Sequence, residues 1–328
     1  MRSISLIFFV GTLFVLYKIM TIVMKIPFKR ALVYIGFITF NPFLLYYAFE
    51  ARMYMMATFF VTLSFYALWA KQKKLYIVSI TCALYSHYFA LFIFSGQLLM
   101  HGISFQKDLR DFFKHSAQWS IPIVVLIPWM IYVLKMHDFS AGDFWILRPA
   151  LKEIIFLPFV LFTGYERVFG EYYHGRAGYT EFHEYLNLLI WIFALIPVVY
   201  TLIASLSYKL TPNSYKLPAT SYKLPANSYK LPATSYQLLP IFLWAFFTPV
   251  IIFLLSLVAT PLYHPRYFMV AVPGLLLLIV TTCELLAVFL SRQVKGMHRI
   301  FADLPLVATV FVVGCLFLQV QEFNTLSL

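Results

Sequence analysis

The sequence predicts an all-α fold, a polytopic transmembrane bundle of about nine to ten membrane helices. Three observations predict it. Of the 328 residues, 62% are hydrophobic and only 12% charged, where a soluble domain has about 45–50% and about 25%. Runs of about 20 apolar residues recur along the whole chain, and the mean hydropathy is +0.82. No long stretch alternates apolar and polar residues at strand period, which argues against an outer-membrane barrel.

The spans fall at 3–24, 31–49, 53–70, 75–100, 117–135, 183–206, 237–260, 266–290 and 303–321. The first opens after Arg2 and runs past Tyr17 to Met24 with no small-x-small cleavage site, so it reads as a span rather than a signal peptide. Residues 101–116, HGISFQKDLRDFFKHS, put Phe105, Leu109, Phe112 and Phe113 on one helical face and Lys107, Arg110 and Lys114 elsewhere. That pattern predicts an amphipathic helix on the inner surface. Residues 149–164, PALKEIIFLPFVLFTG, are too short to span comfortably and predict an interfacial helix within a long outer loop, 136–182. The chain thus divides into a membrane core (1–206), a repeat-bearing cytoplasmic linker (207–240) and C-terminal spans (241–328).

The formal net charge is +12. In a soluble protein that would suggest nucleic acid. Here basic loops holding the topology explain it, and no nucleic-acid partner is expected. The same rule resolves the one ambiguous span. As a single helix, 75–100 would be about 39 Å long, against a bilayer core of about 30 Å. In its middle stands YSHYF, Tyr85 to Phe89. If the chain turns back there, loops 25–30, 71–74, 101–116, 207–236 and 291–302 are inner and hold three, three, three, four and three Lys or Arg. The outer segments 50–53, 136–182 and 261–266 then hold one, four and one. The split is 16 against 6; with a single span it becomes 11 against 11. The hairpin is therefore preferred, with its arms tilted, re-entrant or unevenly divided. It puts Glu50, Arg52, His87, His264 and Arg266 on one outer face.

Three segments could carry chemistry. In NPFLLYYAFEARMYMM (41–56), Pro42 interrupts a helix and Glu50 and Arg52 follow at its outer end. An arginine there suits a lipid phosphate, because its planar fork donates two hydrogen bonds at once. In TPLYHPRYFMVAVP (260–273), Pro261, Pro265 and Pro273 hold His264, Arg266 and Tyr267 at the start of a span. Irregular backbone at such depth needs protein or a cavity around it, and ionisable residues there are functional candidates. The third segment is LYSHYFALF (84–92), with His87. Each has a plain alternative, as an interfacial anchor or a satisfied core histidine. Cys82, Cys283 and Cys315 lie in apolar runs without metal-ligand spacing and read as packing residues.

In this order and with such spans between them, YYAFEARMY, ALYSHYFALF and HPRYF resemble the polyprenyl-phosphate-sugar-dependent membrane glycosyltransferases of the GT-C fold. The nearest branch holds the protein O-mannosyltransferases and lipid A aminoarabinose transferases. The resemblance covers about 1–135 and 240–290. It implies an integral enzyme of the cytoplasmic membrane, with its active face extracytoplasmic. The donor would be a polyprenyl-phosphate-linked sugar, and the acceptor a glycolipid, glycan or protein. Arg52 and Arg266 match the motif arginines, which implies a role at the donor phosphate. His87, His264 and Tyr267 match positions lining the same cavity.

The chain departs from that pattern in one respect. The family carries its catalytic carboxylate in the first outer loop, and here no acidic residue precedes Glu50. The resemblance thus implies a copy lacking that loop, either truncated and inactive or with a start farther upstream. Sugar transfer needs a base, or a divalent cation held by carboxylates. Glu50, Asp138 and Asp143 are the outer-face candidates for the catalytic role. Two other classes share the lipid: a transporter or flippase of polyprenyl-linked saccharides, and a polymerase or ligase of surface glycans. No inverted repeat of hydropathy supports a transporter.

Residues 207–240 are nearly one heptapeptide written five times: SYKLTPN, SYKLPAT, SYKLPAN, SYKLPAT and SYQLLP. Proline in every unit forbids a continuous helix, and Leu alone cannot form a coiled-coil seam. Extended or turn-rich structure follows from this composition. Tyr and Lys could also rest on anionic headgroups. The repeat reads as a topology marker rather than a site. Deleting 214–234, three whole units, should leave membrane insertion and any activity unchanged, as protease protection and a transfer assay would report.

Overall fold

The computed structural model describes residues 2–104, 116–136, 146, 148–163, 185, 187–196, 199, 235–258 and 261–293. Every regular element among the described residues is helical. In chain order they are α1 (Arg2–Lys18, continuing as a π-turn Ile19–Val23), α2 (Phe28–Thr39), α3 (Pro42–Phe49), α4 (Tyr54–Trp69), α5 (Lys73–Ser86), α6 (Ala90–Ser104), α7 (Ser116–Met136) and α8 (Leu151–Thr163). There follow α9 (Asn187–Ile196), α10 (Ser235–Val258), a 3₁₀ segment Pro265–Ala271, and α11 (Val272–Gln293). Among the described residues three stretches, Ser3–Val23, Leu238–Val258 and Pro265–Ala287, are long and apolar enough to cross a membrane. The pair α2 and α3, bent by 64°, makes a fourth if counted as one span.

The bend has a sequence cause. Pro42 cannot continue α2, and Asn41 instead caps α3 by accepting from the Leu44 N–H at 2.9 Å. At the end of α4, Lys71 takes a left-handed φ of 57°. Its N–H reaches Leu68 O, and the Gln72 N–H reaches Ala67 O. These are the two bonds of a Schellman cap, formed here without the usual glycine.

The side chains give the direction of each helix. Ser5 on α1 donates to Glu50 O at 2.7 Å, and Gly11 lies against Phe59, so α1 and α4 run parallel. Tyr76 donates to Gln97 Oε1 at 2.8 Å. A straight helix would hold those two residues about 31 Å apart. The chain therefore folds back between α5 and α6, as the basic count predicts. The turn is His87 in extended conformation (φ −158°, ψ 126°), closed by Ala90 N–H to His87 O at 2.9 Å. Gln97 also donates to Ser64 Oγ at 2.9 Å, which fastens the hairpin to α4. Tyr76 meets Trp119 and Tyr85 meets Val125 O, so α5 and α7 run parallel.

α10 and α11 pair antiparallel: Trp244 Nε1 donates to Val270 O at 2.8 Å, and Leu262 N–H donates to Ser256 Oγ at 2.9 Å. Of the three candidate spans among the described residues, the one that contains α11 is the most buried. Its apolar window is 89% buried, against 33% for α1 and 50% for α10. Phe65 stacks on Trp244 at 4.1 Å, joining α4 to that pair. The bundle thus has a basic end, with Lys25, Lys29, Lys71, Lys73 and Lys74, and an opposite end where Ser5, Glu50–Met53, His87 and His264 lie.

Several expectations meet the structure at particular points. The helix expected at 149–164 is α8, and it is packed in rather than lying over the bundle. Leu157 to Phe162 are all buried, and Asn41 Nδ2 donates to Phe162 O at 2.9 Å. His101–Ser104, assigned above to an inner surface helix, continue α6; residues 105–115 lie outside the described residues. The last repeat unit opens α10, because Ser235 begins that helix. The remainder of the repeat, the span 303–321, Cys315, and most of loop 136–182 including Asp138 and Asp143 also lie outside them.

A buried cluster was not anticipated. Glu284 on α11 accepts from Tyr34 O–H at 2.7 Å and pairs with Arg30 Nε at 3.2 Å, with both charged side chains under 10% exposed. A lone acid in an apolar span is the sequence signal for such a partner.

Gly274 on α11 packs directly against Trp244 and Ala245 of α10. A Cβ there would stand 2.8 Å from Trp244 Cγ and 2.9 Å from Ala245 N. Since backbone cannot yield as a side chain can, Gly274→Ala should destabilise by about 1–3 kcal/mol. A lowered melting temperature in detergent reports it, and an unchanged one contradicts this packing.

Candidate functional site

Three breaks in helical backbone meet at the end opposite the lysines. The first is the connector Glu50–Met53 between α3 and α4. Ser5 Oγ fixes it by donating to Glu50 O, and the Arg52 N–H donates to Glu50 O at 2.9 Å. Within it, Arg52 Nε lies 3.0 Å from Glu50 Oε1, with the Arg52 side chain half exposed. Glu50 Oε2 is buried and accepts no hydrogen bond. A hydrogen bond with Tyr54, and after it the charge of Glu50, raise the Arg52 guanidinium above its ordinary value. Arg52 is therefore a fixed, accessible cation.

The second break is the turn at His87. Its ring is buried, 4% exposed, and Nδ1 accepts from the Phe89 N–H at 3.2 Å. In the neutral ring this leaves the proton on Nε2, which is then a donor. Tyr88 stacks on the imidazole at 4.9 Å and 19°, and Tyr54 packs on it at 5.4 Å.

The third break is the 3₁₀ segment. Pro265 sets its start and His264 caps it, Nδ1 accepting from the Arg266 N–H. Arg266 Nε donates to the same Nδ1 at 3.1 Å, and Nη2 comes within 3.1 Å of Nε2. A neutral imidazole offers one acceptor, and Nδ1 uses it, so Nη2 against Nε2 is a packing contact along the ring. Burial first, and then the adjacent Arg266 charge, push the His264 imidazole down from 6.5 to about 3. His264 is thus a neutral rest that orients a permanently charged guanidinium.

Tyr267 joins the three. Its ring lies 5.9 Å from His87, 5.7 Å from His264 and 4.6 Å from Phe89, stacked on the last at 19°. It is within electrostatic reach of both Arg52 and Arg266. Five residues singled out from the sequence, Arg52, His87, His264, Arg266 and Tyr267, therefore belong to one constellation, and Glu50 stands at its edge. Asp138 and Asp143 fall outside the described residues. The sequence reading missed the tyrosines that bind the cluster together. Tyr47 and Tyr54, 5.4 Å apart, carry the contact from α3 to His87. Their signal was the aromatic run flanking Arg52, YYAFEARMY.

Among the described residues no three His, Cys, Asp or Glu side chains gather closely enough to hold a metal ion. The arrangement can offer two cations, ring donors and aromatic faces to an anionic ligand. No family model, no curated protein and no solved structure matches the chain.

The neutral His264 carries a pH signature. The unfolded chain binds a proton near 6.5, whereas the folded one resists it until about 3. The stability this group contributes is complete above 6.5 and is lost as pH falls from 6.5 towards 3. Melting temperature should fall over that window, and His264→Asn, which keeps a capping acceptor but does not titrate, should make the fall shallower. An identical pH slope in the variant would remove His264 from this role.

Proposed function

We propose that the chain is a membrane glycosyltransferase of the GT-C type, with the arginine-bearing end of the bundle on the extracytoplasmic face and the lysine-bearing end in the cytoplasm. One observation carries the reading. Three distant segments converge on one end and bring two arginines, each held by a neighbouring side chain, beside an aromatic cluster. Two oriented guanidiniums suit the phosphate of a polyprenyl-phosphate sugar. The apolar helix faces suit its lipid tail, and the basic bias suits this orientation.

In the proposed reaction the acceptor oxygen forms a bond to the anomeric carbon. The bond from that carbon to the phosphate oxygen breaks, and polyprenyl phosphate leaves. Arg52 and Arg266 stabilise the charge that develops on the leaving phosphate. The acceptor proton passes to a carboxylate. Glu50, with one oxygen on Arg52 and the other without a hydrogen-bond partner, is the described candidate; Asp138 and Asp143 are the others. The histidines position: His264 orients Arg266, and His87 supports the aromatic cluster.

The test is turnover in lipid nanodiscs with a radiolabelled polyprenyl-phosphate hexose, scored by release of polyprenyl phosphate. Arg266→Ala and Arg52→Ala should each lower turnover by about 10- to 100-fold, the equivalent of a lost hydrogen bond to a charged group. Membrane insertion should be unaffected. Normal turnover in both variants, or movement of the lipid across the bilayer without bond cleavage, contradicts the proposal; the second outcome favours a flippase.

A further inference from the structure

One aromatic ring at the rim of the cluster, that of Tyr88, lies directly on His87. Tyr88 is 48% exposed, whereas His87 beneath it is 4% exposed. The two rings are nearly parallel, 19° apart with centroids at 4.9 Å. Tyr88 also packs directly on Phe89 at 4.6 Å, and Phe89 lies 5.2 Å from His87, so the three rings form a triangle; Tyr54 supports His87 at 5.4 Å and Tyr267 supports Phe89 at 4.6 Å. Tyr88 is thus a half-exposed ring held against two buried ones, His87 and Phe89. Its backbone is fixed as well, because Tyr88 sits inside the turn that closes with the Leu91 N–H on Tyr88 O at 3.0 Å.

A half-exposed aromatic ring fixed against buried partners has a definite chemical use. The C–H face of a pyranose is apolar and flat, and it packs on an aromatic face while its hydroxyls stay in water. Fixing the ring beforehand lowers the ordering cost of that contact. Tyr88 also neighbours Tyr54 and Tyr267, and Tyr267 lies within reach of Arg52 and Arg266. A phosphate held by those arginines would carry its sugar towards this ring.

We infer that Tyr88 is the sugar-stacking residue of the site: it recognises the hexose of the donor, separately from the arginines that recognise its phosphate. The inference rests on the reading that the site takes a polyprenyl-phosphate sugar. Tyr88 acts through its face, so its hydroxyl is dispensable.

The experiment compares two probes on the full chain in nanodiscs: a polyprenyl phosphate, and the same lipid bearing one hexose, glucose or mannose. The wild type should bind one of the glycosylated lipids more tightly than the bare one. Tyr88→Ala should abolish that preference, weakening the glycosylated lipid roughly 3- to 10-fold and leaving the bare lipid unchanged. Tyr88→Phe should keep it. If Tyr88→Ala weakens both lipids equally or neither, the inference falls. It falls too if the wild type binds bare and glycosylated lipids alike, although the phosphate reading survives that result. If neither lipid binds the wild type, both fall.

Discussion

The chain reverses direction at Ser86–Phe89, and the placement of every later helix follows from that reversal. Two arms of 14 and 15 residues replace what the hydropathy alone presents as one long span. The arms are held by buried polar contacts rather than by length: Tyr76 to Gln97, and Gln97 on to Ser64 of α4. In an apolar bundle such groups have no water to fall back on, so each satisfied bond also fixes register. The same turn lifts the His87 ring against Tyr54 and Tyr267. There it adds a third element to the direct packing of α4 on the 3₁₀ segment.

The packing that supports the site is aromatic and close. α11, in the most buried of the described spans, carries the 3₁₀ segment at its start and the Arg30–Glu284–Tyr34 cluster farther along. That cluster ties α11 to α2, and α2 leads through the bend at Pro42 to Glu50 and Arg52. The two arginine-bearing segments are therefore joined at both ends of the bundle. Gly274 lets α10 approach close enough for Trp244 to bridge α11 and Phe65 of α4. A cation at the rim gains from such a frame, because a side chain held in place loses little freedom when it meets an anion.

Much of this was legible in the sequence, for physical reasons that can be named. Apolar runs mark helices because each backbone N–H and C=O must be satisfied within them, and proline marks their breaks. Lys and Arg counts carried the hairpin at His87. The three motifs named the right residues for one end of the bundle. What stayed hidden was contact between distant segments. Nothing near Glu284 in sequence points to Arg30 rather than another cation. The cap at Lys71 lacks the glycine that would announce it. The hydrogen bond from Asn41 to the Phe162 carbonyl of α8 has no local signal in the sequence. Tyr54 and Tyr88 lie within the motif segments but gain a role only once their neighbours are known.

The central claim is that the three motifs lie together on the outer face while the lysine-rich end faces inward. It is tested most directly by single cysteines in a chain freed of Cys82, Cys283 and Cys315. Ala51→Cys lies beside Arg52 and is exposed, Tyr88→Cys lies at the rim, and Lys71→Cys lies at the opposite end. In sealed right-side-out vesicles, a membrane-impermeant maleimide should label the first two. It should reach the third only after permeabilisation. Labelling of Ala51→Cys and Tyr88→Cys from opposite sides, or equal labelling of all three in sealed vesicles, would contradict the account.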